Sequence, residues 1–209
     1  MKRFIEPAGG LANRVRVVLT ALRKFGPEIT FVWRENKDCP CQWWELFQQP
    51  SIGTLPKPME GTRVERTCSA YTGLDPEIYS ALVPTKAISD SVDEFCEAHE
   101  KFDAIHVRRT DHEQIAKKKG MFTDDDEFFQ FVKDSGKFFL ACDDPATEAK
   151  FKLKFGDKCL TRKKEWKPDH RKTSGQDALI DLLICTRGKR FKGSGYSSFS
   201  EMIHLMRHE

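Results

Sequence analysis

The sequence predicts an α/β protein made of two small Rossmann-like halves whose parallel sheets face a cleft. Three observations lead there. Short β-branched or aromatic runs alternate with amphipathic helical patterns, as parallel strands joined by covering helices require. The alternation occurs twice, on either side of a middle third, Asn36 to Pro84, that is rich in Pro, Gly, Thr and aromatic residues. Polar segments, two of them glycine-rich, stand where strands give way to helices, and in open α/β sheets that carboxyl edge is where ligands bind. The expected division is residues 1–88 for an N-terminal half, loop-rich from 36, and residues 89–209 for a C-terminal half.

Arg3 to Glu6 suits a strand and Pro7 to Gly10 a turn. Leu11, Val15, Val18, Leu19 and Leu22 then form one apolar helix face, which ends at Gly26-Pro27. Ile29 to Trp33 is a second strand. In the middle third only CQWWELF looks helical, so long loops and short turns are expected. The rhythm returns with a helix from Ser91, a strand Ala104 to Val107, and a helix from Thr123 whose Asp124, Asp125 and Asp126 suit its positive N-terminal end. A strand follows from Phe138 to Ala141, and Asp144-Pro145 carries the N-cap and first-turn signature of a helix running to about Phe155. A basic loop, TRKKEWKPDHRKTSGQ, leads to an apolar helix Asp177 to Arg187, a strand Arg190 to Lys192, the turn GSGYSS and a last helix from Phe199 onward.

Composition excludes several classes. With 39% hydrophobic and 32% charged residues in 209, the chain can bury an ordinary core. Its 35 basic and 32 acidic side chains, net +3, are too balanced for a generic nucleic-acid binder, so any anion recognition must be local. No apolar run approaches the roughly 20 residues of a membrane span, and MKRFIEP lacks a signal-peptide core, so a soluble cytoplasmic protein is expected. The seven scattered cysteines read as reduced thiols, and Cys39-Pro-Cys41 lacks the second Cys or His pair of a zinc site.

Four segments carry candidate chemistry. GGLANR, Gly9 to Arg14, places a glycine pair before a helix whose free N–H groups suit an anion, although a plain tight turn reads as well. HVRRTD, His106 to Asp111, places two arginines at the end of a buried strand. Side by side, they should point to opposite faces, so at most one enters the cleft; Arg108 is chosen, with Arg109 left to orient Asp111 or the backbone. GSGYSSFSEMI offers a phosphate seat at the helix start, or a simple turn with Ser197 or Ser198 as N-cap. Finally, Asp181 in the apolar ALIDLLIC needs a partner, because an unpaired buried carboxylate is costly; a guanine N1–H and N2–H edge is one that fits.

Taken in order, GGLANRVRVVLTAL, ITFVWREN with CQWWELF, AIHVRRTDHE, FFLACDDPATEAKFKLKFGDK and DALIDLLICTRGKRFKGSGYSSFSEMI resemble the fucosyltransferase superfamily, which includes bacterial nodulation and animal core α1,6-fucosyltransferases and protein O-fucosyltransferases. The likeness covers most of the chain outside Ser51 to Ile88. It implies a GT-B-like fold, a GDP-sugar donor held mainly by the C-terminal half, a glycan acceptor, no cofactor and inverting transfer without a metal. Matched residue by residue, it implies that Arg108 holds the β-phosphate. His106 and Asp181 line the guanosine, Ser197 and Ser198 contact phosphate, and Asp143 and Asp144 lie beside the nucleotide. Gly9, Gly10 and Asn13 close over the diphosphate. The chain departs from the core-type pattern at His112, where a lysine is expected, and at Ala116, where a glutamate is expected. The general base is thereby open among Glu113, His112 and Asp111. The rival reading is a sugar-nucleotide or glycan-binding module that has lost its base, and a sulfotransferase is disfavoured by the missing Walker-like loop.

Overall fold

The structure, a computed structural model, describes residues 3–48, 53–55, 57–58, 60–168 and 172–207. Part of the basic loop, residues 169–171, lies outside them, as do the last two residues beyond the final helix. The order is β1 (Arg3–Pro7), α1 (Leu11–Phe25), β2 (Ile29–Val32), a 3-10 turn (Trp43–Glu45), β3 (Gly53–Leu55), β4 (Val64–Thr67), α2 (Pro76–Tyr79), α3 (Lys86–Ala98) and β5 (Asp103–Val107). After β5 come α4 (Glu113–Lys118), α5 (Asp125–Val132), β6 (Phe138–Cys142), α6 (Pro145–Phe155), a 3-10 turn (Gly156–Lys158), β7 (Cys159–Leu160), α7 (Gly175–Arg187), β8 (Phe191–Gly193) and α8 (Ser198–Met206).

Two four-stranded sheets result, ordered β3-β2-β1-β4 and β7-β6-β5-β8, and every pairing in both is parallel. Each sheet thus steps outward from its first strand and then reverses to the other side. The crevice at such a reversal, beyond the carboxyl ends of the strands, is where open α/β sheets bind ligands. In the first sheet that point is the Gly9-Gly10 turn after β1; in the second it is the gap between β5 and β8.

The sheets are not independent bodies. One core cluster runs from Ile5, Val15 and Phe31 of the first half to Ala104, Leu182 and Ile203 of the second, while a smaller one, with Ile105, Phe138 and Phe151, fills the opposite face of the second sheet. The last helix, α8, leaves β8 and packs on α1 and α2 of the first half as well as on α7. Arg16 of α1 reaches Glu201 of α8 at 3.4 Å.

Three expectations are corrected. The helix expected from Ser91 begins at Lys86, because Ile88 and Val92, four apart, are its buried residues. The helix expected from Thr123 begins at Asp125, with Asp124 as the N-cap of a capping box closed by Glu127. The segment after Asp111, expected as a loop, forms α4; it buries Ala116 alone, so no apolar period marks it in the sequence.

Candidate active site

β5 is buried along its whole length, and its alternation sorts the residues that follow. Ala104 packs into the larger core, whereas Ile105 and Val107 pack into the smaller. His106 faces α8: its Nδ1 lies 2.8 Å from Ser200 Oγ, and its ring centroid is 4.6 Å from that of Phe199. Burial, then the nearby Arg108 charge, pushes its pKa down to about 3, so the ring is neutral. Arg108 keeps the His106 side and lines the cleft. Arg109 takes the other side, bonding Asp125 at 2.6 Å with its guanidinium over the Phe122 and Phe128 rings. It is Arg108 that holds Asp111, through Nη2 to both carboxylate oxygens at 2.9 and 3.1 Å.

The turn carrying Arg108 is pinned from both neighbouring strands. The Arg108 N–H donates to Ser194 Oγ at 2.9 Å, and that hydroxyl donates to the His106 carbonyl at 3.1 Å, closing the gap between β5 and β8. From β6, Asp143 accepts from the Arg109 N–H at 2.8 Å and from Thr110 Oγ1 at 2.7 Å. With the backbone and Nη2 so fixed, Arg108 Nε remains buried with no hydrogen-bond partner among the described residues. A buried donor left unmade costs about 1–3 kcal/mol unless something meets it.

The cleft wall contains Gly10, Asn13, Asp38, Cys39 and Pro40 from the first half. From the second come His106, Arg108, Thr110, Asp143, Lys172, Thr173, Ser174, Asp181, Ser198 and Phe199. No protein-family model matches this chain, and no curated protein matches it in sequence. Solved structures do match in shape. NodZ α1,6-fucosyltransferase soaked with GDP-fucose aligns with a TM-score of 0.65 at 15% identity, over 99% of this chain and 93% of that one. Fucosyltransferase NodZ from Bradyrhizobium aligns at 0.63 and 14% identity, over 99% of this chain and 94% of that one. POFUT1 in complex with GDP aligns at 0.61 and 12% identity, again over 99% and 94%.

The fold is that of the fucosyltransferases. In this GT-B-like frame the residues singled out from sequence separate into groups. Gly10, Asn13, His106, Arg108, Asp143, Asp181 and Ser198 lie on the cleft wall. Gly9 stands behind it at φ 82°, where an added Cβ would come within 2.9 Å of Asn13 Nδ2, so the turn demands glycine. Asp144 caps α6 by accepting from the Thr147 N–H at 2.8 Å, and Ser197 caps α8 by accepting from the Ser200 N–H. His112 is buried, with Nε2 2.9 Å from the Gly195 carbonyl. Glu113 lies at the start of α4 on no part of the cleft wall, bonded to Lys117.

Asp181 already has partners within the chain: Arg162 Nε at 3.1 Å and Lys164 Nζ at 2.9 Å. The Lys164 side chain is fully buried; burial works against its charge, but Asp181 and Glu148 hold its pKa above the ordinary value. Arg162 and Lys164 of the basic loop therefore serve as counter-charges of α7, which nothing in their spacing announced. Sequence reasoning also missed Ser194, Lys172 and Asp38, which only the fold brings to this place. Among the described residues no group of three His, Cys, Asp or Glu side chains is disposed to hold a metal, and no helix is long and apolar enough to cross a membrane.

Proposed function

We propose that the protein is an inverting glycosyltransferase that moves a sugar, L-fucose from GDP-β-L-fucose, onto a glycan hydroxyl, with the donor on the C-terminal half and the acceptor entering along the N-terminal half. The observation that carries this reading is the Arg108 guanidinium, which lines the cleft at the strand-order reversal and whose buried Nε–H meets no partner among the described residues. A guanidinium offers two parallel N–H groups to one phosphate, which lysine cannot. As the bond from the sugar C1 to the β-phosphate oxygen breaks, negative charge grows on that phosphate. Arg108 and the N–H groups at the start of α8, beside Ser198, meet it without reorganising.

The other wall residues take consistent parts. Gly10 and Asn13 close over the diphosphate, and Lys172 adds positive charge beside it. His106 and Asp181 flank the guanosine. A carboxylate has about four lone-pair sites, and Arg162 and Lys164 occupy one on each Asp181 oxygen, so the anion remains able to accept from a guanine edge. In this reading the charge on the leaving group is met by protein groups, and turnover survives excess chelator.

The test is a thermal-shift panel of GDP, UDP and ADP. GDP at about 100 times its dissociation constant should stabilise the protein by about 2.7 kcal/mol, and UDP should not. Equal shifts from all three would remove the guanine assignment. A second reading, a donor-binding module without transfer, is favoured by Ala116 and by the position of Glu113 away from the wall. It predicts GDP binding with no release of GDP from GDP-fucose.

A further inference from the structure

On the donor reading just given, the C-terminal half meets the diphosphate with Arg108, and the N-terminal half closes over it with a turn that has almost no side chains. Gly10 lines the cleft, and as a glycine it can present only its backbone. Its carbonyl is taken, accepting from the Arg14 N–H at 3.1 Å in the first turn of α1. Its N–H meets no acceptor among the described residues and stands at the start of a 15-residue helix, where the dipole favours an anion. The direction of that N–H is decided by the Gly9–Gly10 peptide, and between two glycines such a peptide can turn over at little steric cost.

Arg14 holds that peptide. Its Nε–H donates to the Gly9 carbonyl at 2.8 Å, and because the peptide is planar and trans, the Gly10 N–H points to the opposite side. The same guanidinium donates from Nη1 to the Arg34 carbonyl at 2.6 Å, just after β2, and lies 5.2 Å from the Trp33 ring centroid. Arg34 leads into the turn whose Asp38, Cys39 and Pro40 line the cleft, so one side chain ties together both wall segments of this half. Arg14 is 1% exposed, yet it makes no ion pair among the described residues. Buried charges are ordinarily paired; one met only by carbonyls, behind a turn of the cleft wall, leaves its positive charge to an anion bound there. We infer that the Gly10 N–H donates to the β-phosphate of the donor and that Arg14 is the positioning residue that keeps it turned to the cleft. With the peptide reversed, the Gly9 carbonyl oxygen would stand where the N–H does and repel the phosphate.

The test compares the affinities of GDP and of GMP, which lacks the β-phosphate, by thermal-shift titration of wild type, Arg14→Gln and Gly10→Pro. Gly10→Pro removes the N–H itself and leaves Arg14 in place, and the Gly10 φ of −73° is one that proline holds. Each variant should lose about 10- to 100-fold in GDP affinity, the usual worth of a hydrogen bond to a charged group, and keep GMP affinity within a few-fold of wild type. Should Arg14→Gln not fold, Gly10→Pro carries the test alone. A merely structural role for Arg14 would weaken both nucleotides together. That parallel loss, or an unchanged preference for GDP over GMP in Gly10→Pro, overturns the inference while the donor site stands. If wild-type protein shows no GDP shift, the donor reading itself fails, and the role of Arg14 with it.

Discussion

Arg108 and Arg109 are adjacent in the chain and serve opposite faces of one sheet, because side chains alternate along a strand and the turn after β5 preserves the alternation. Their substitutions should therefore separate. Arg108→Lys is expected to weaken GDP binding and to lower turnover by about 100- to 1,000-fold, the usual loss for one preorganised donor at a developing charge. Arg109→Lys should leave GDP affinity nearly intact and lower the thermal midpoint, since the loss falls on the Asp125 pair and the Phe122 and Phe128 contacts. His106 gives a pH dependence of definite sign. Its folded pKa, about 3, lies below its ordinary 6.5, so between these values the unfolded chain binds a proton that the native state refuses. Its contribution is complete above the unfolded value and is lost as pH falls toward the folded one. From pH 7.5 to pH 5.5 this residue should remove about 1.4 kcal/mol. Urea titrations of wild type and His106→Asn at both pH values would show it as a difference in pH slope.

At the scale of an element, the start of α8 divides its work between adjacent serines. Ser197 is buried and caps the helix, whereas Ser198, the first helical residue, lines the cleft. Ser197→Ala should lower stability by about 1 kcal/mol, the typical value of an N-cap, read as a shift of the urea midpoint. Ser198→Ala should leave that midpoint unchanged and raise the GDP concentration needed for half-maximal thermal shift. The glycines just before these serines are there for packing. A Cβ on Gly195 would stand 2.2 Å from the Met121 carbonyl oxygen, and one on Gly193 would stand 2.4 Å from Ser200 Cβ. The GSG motif thus lets the loop after α4 and the first turn of α8 approach the end of β8, which is what brings Ser194 onto the Arg108 N–H.

Across the whole molecule, the cleft exists because two halves whose sheets have the same strand order are held together by α8, by a shared core and by the contact of Gly175 with the Cys39–Cys41 turn. An added Cβ at Gly175 would lie 2.2 Å from Cys41 Sγ and 2.7 Å from Cys41 Cβ, and Cys41 is itself packed in the shared core. Gly175→Ala should accordingly wedge the halves at the cleft's edge, costing about 1–3 kcal/mol as overpacking does. It should also weaken GDP binding although residue 175 offers the ligand no side chain. Retention of wild-type affinity in a variant of lowered thermal midpoint would mean that the two halves bind the donor without needing this contact.

By itself the sequence determined the local pieces: strands from apolar β-branched runs, helices from 3.6-residue periodicity, caps from Asp144-Pro145, and the alternation of strand and helix that makes a parallel sheet. Those signals lie within a few residues of one another, so they are written in short windows. It also determined that one of two neighbouring arginines faces each side, since that follows from strand geometry alone. What only the tertiary structure decided is which residues meet across long stretches of chain. Arg162 and Lys164 reach Asp181 through a loop with no periodicity, Asp38 enters the cleft from an irregular turn, and Glu113 is carried off the cleft wall by a helix too short and polar to be marked in the sequence. The physical reason is common to all three. The path of an irregular segment is set by where its ends are fixed and by the partners that its polar groups find in the folded molecule, and neither is encoded within the segment.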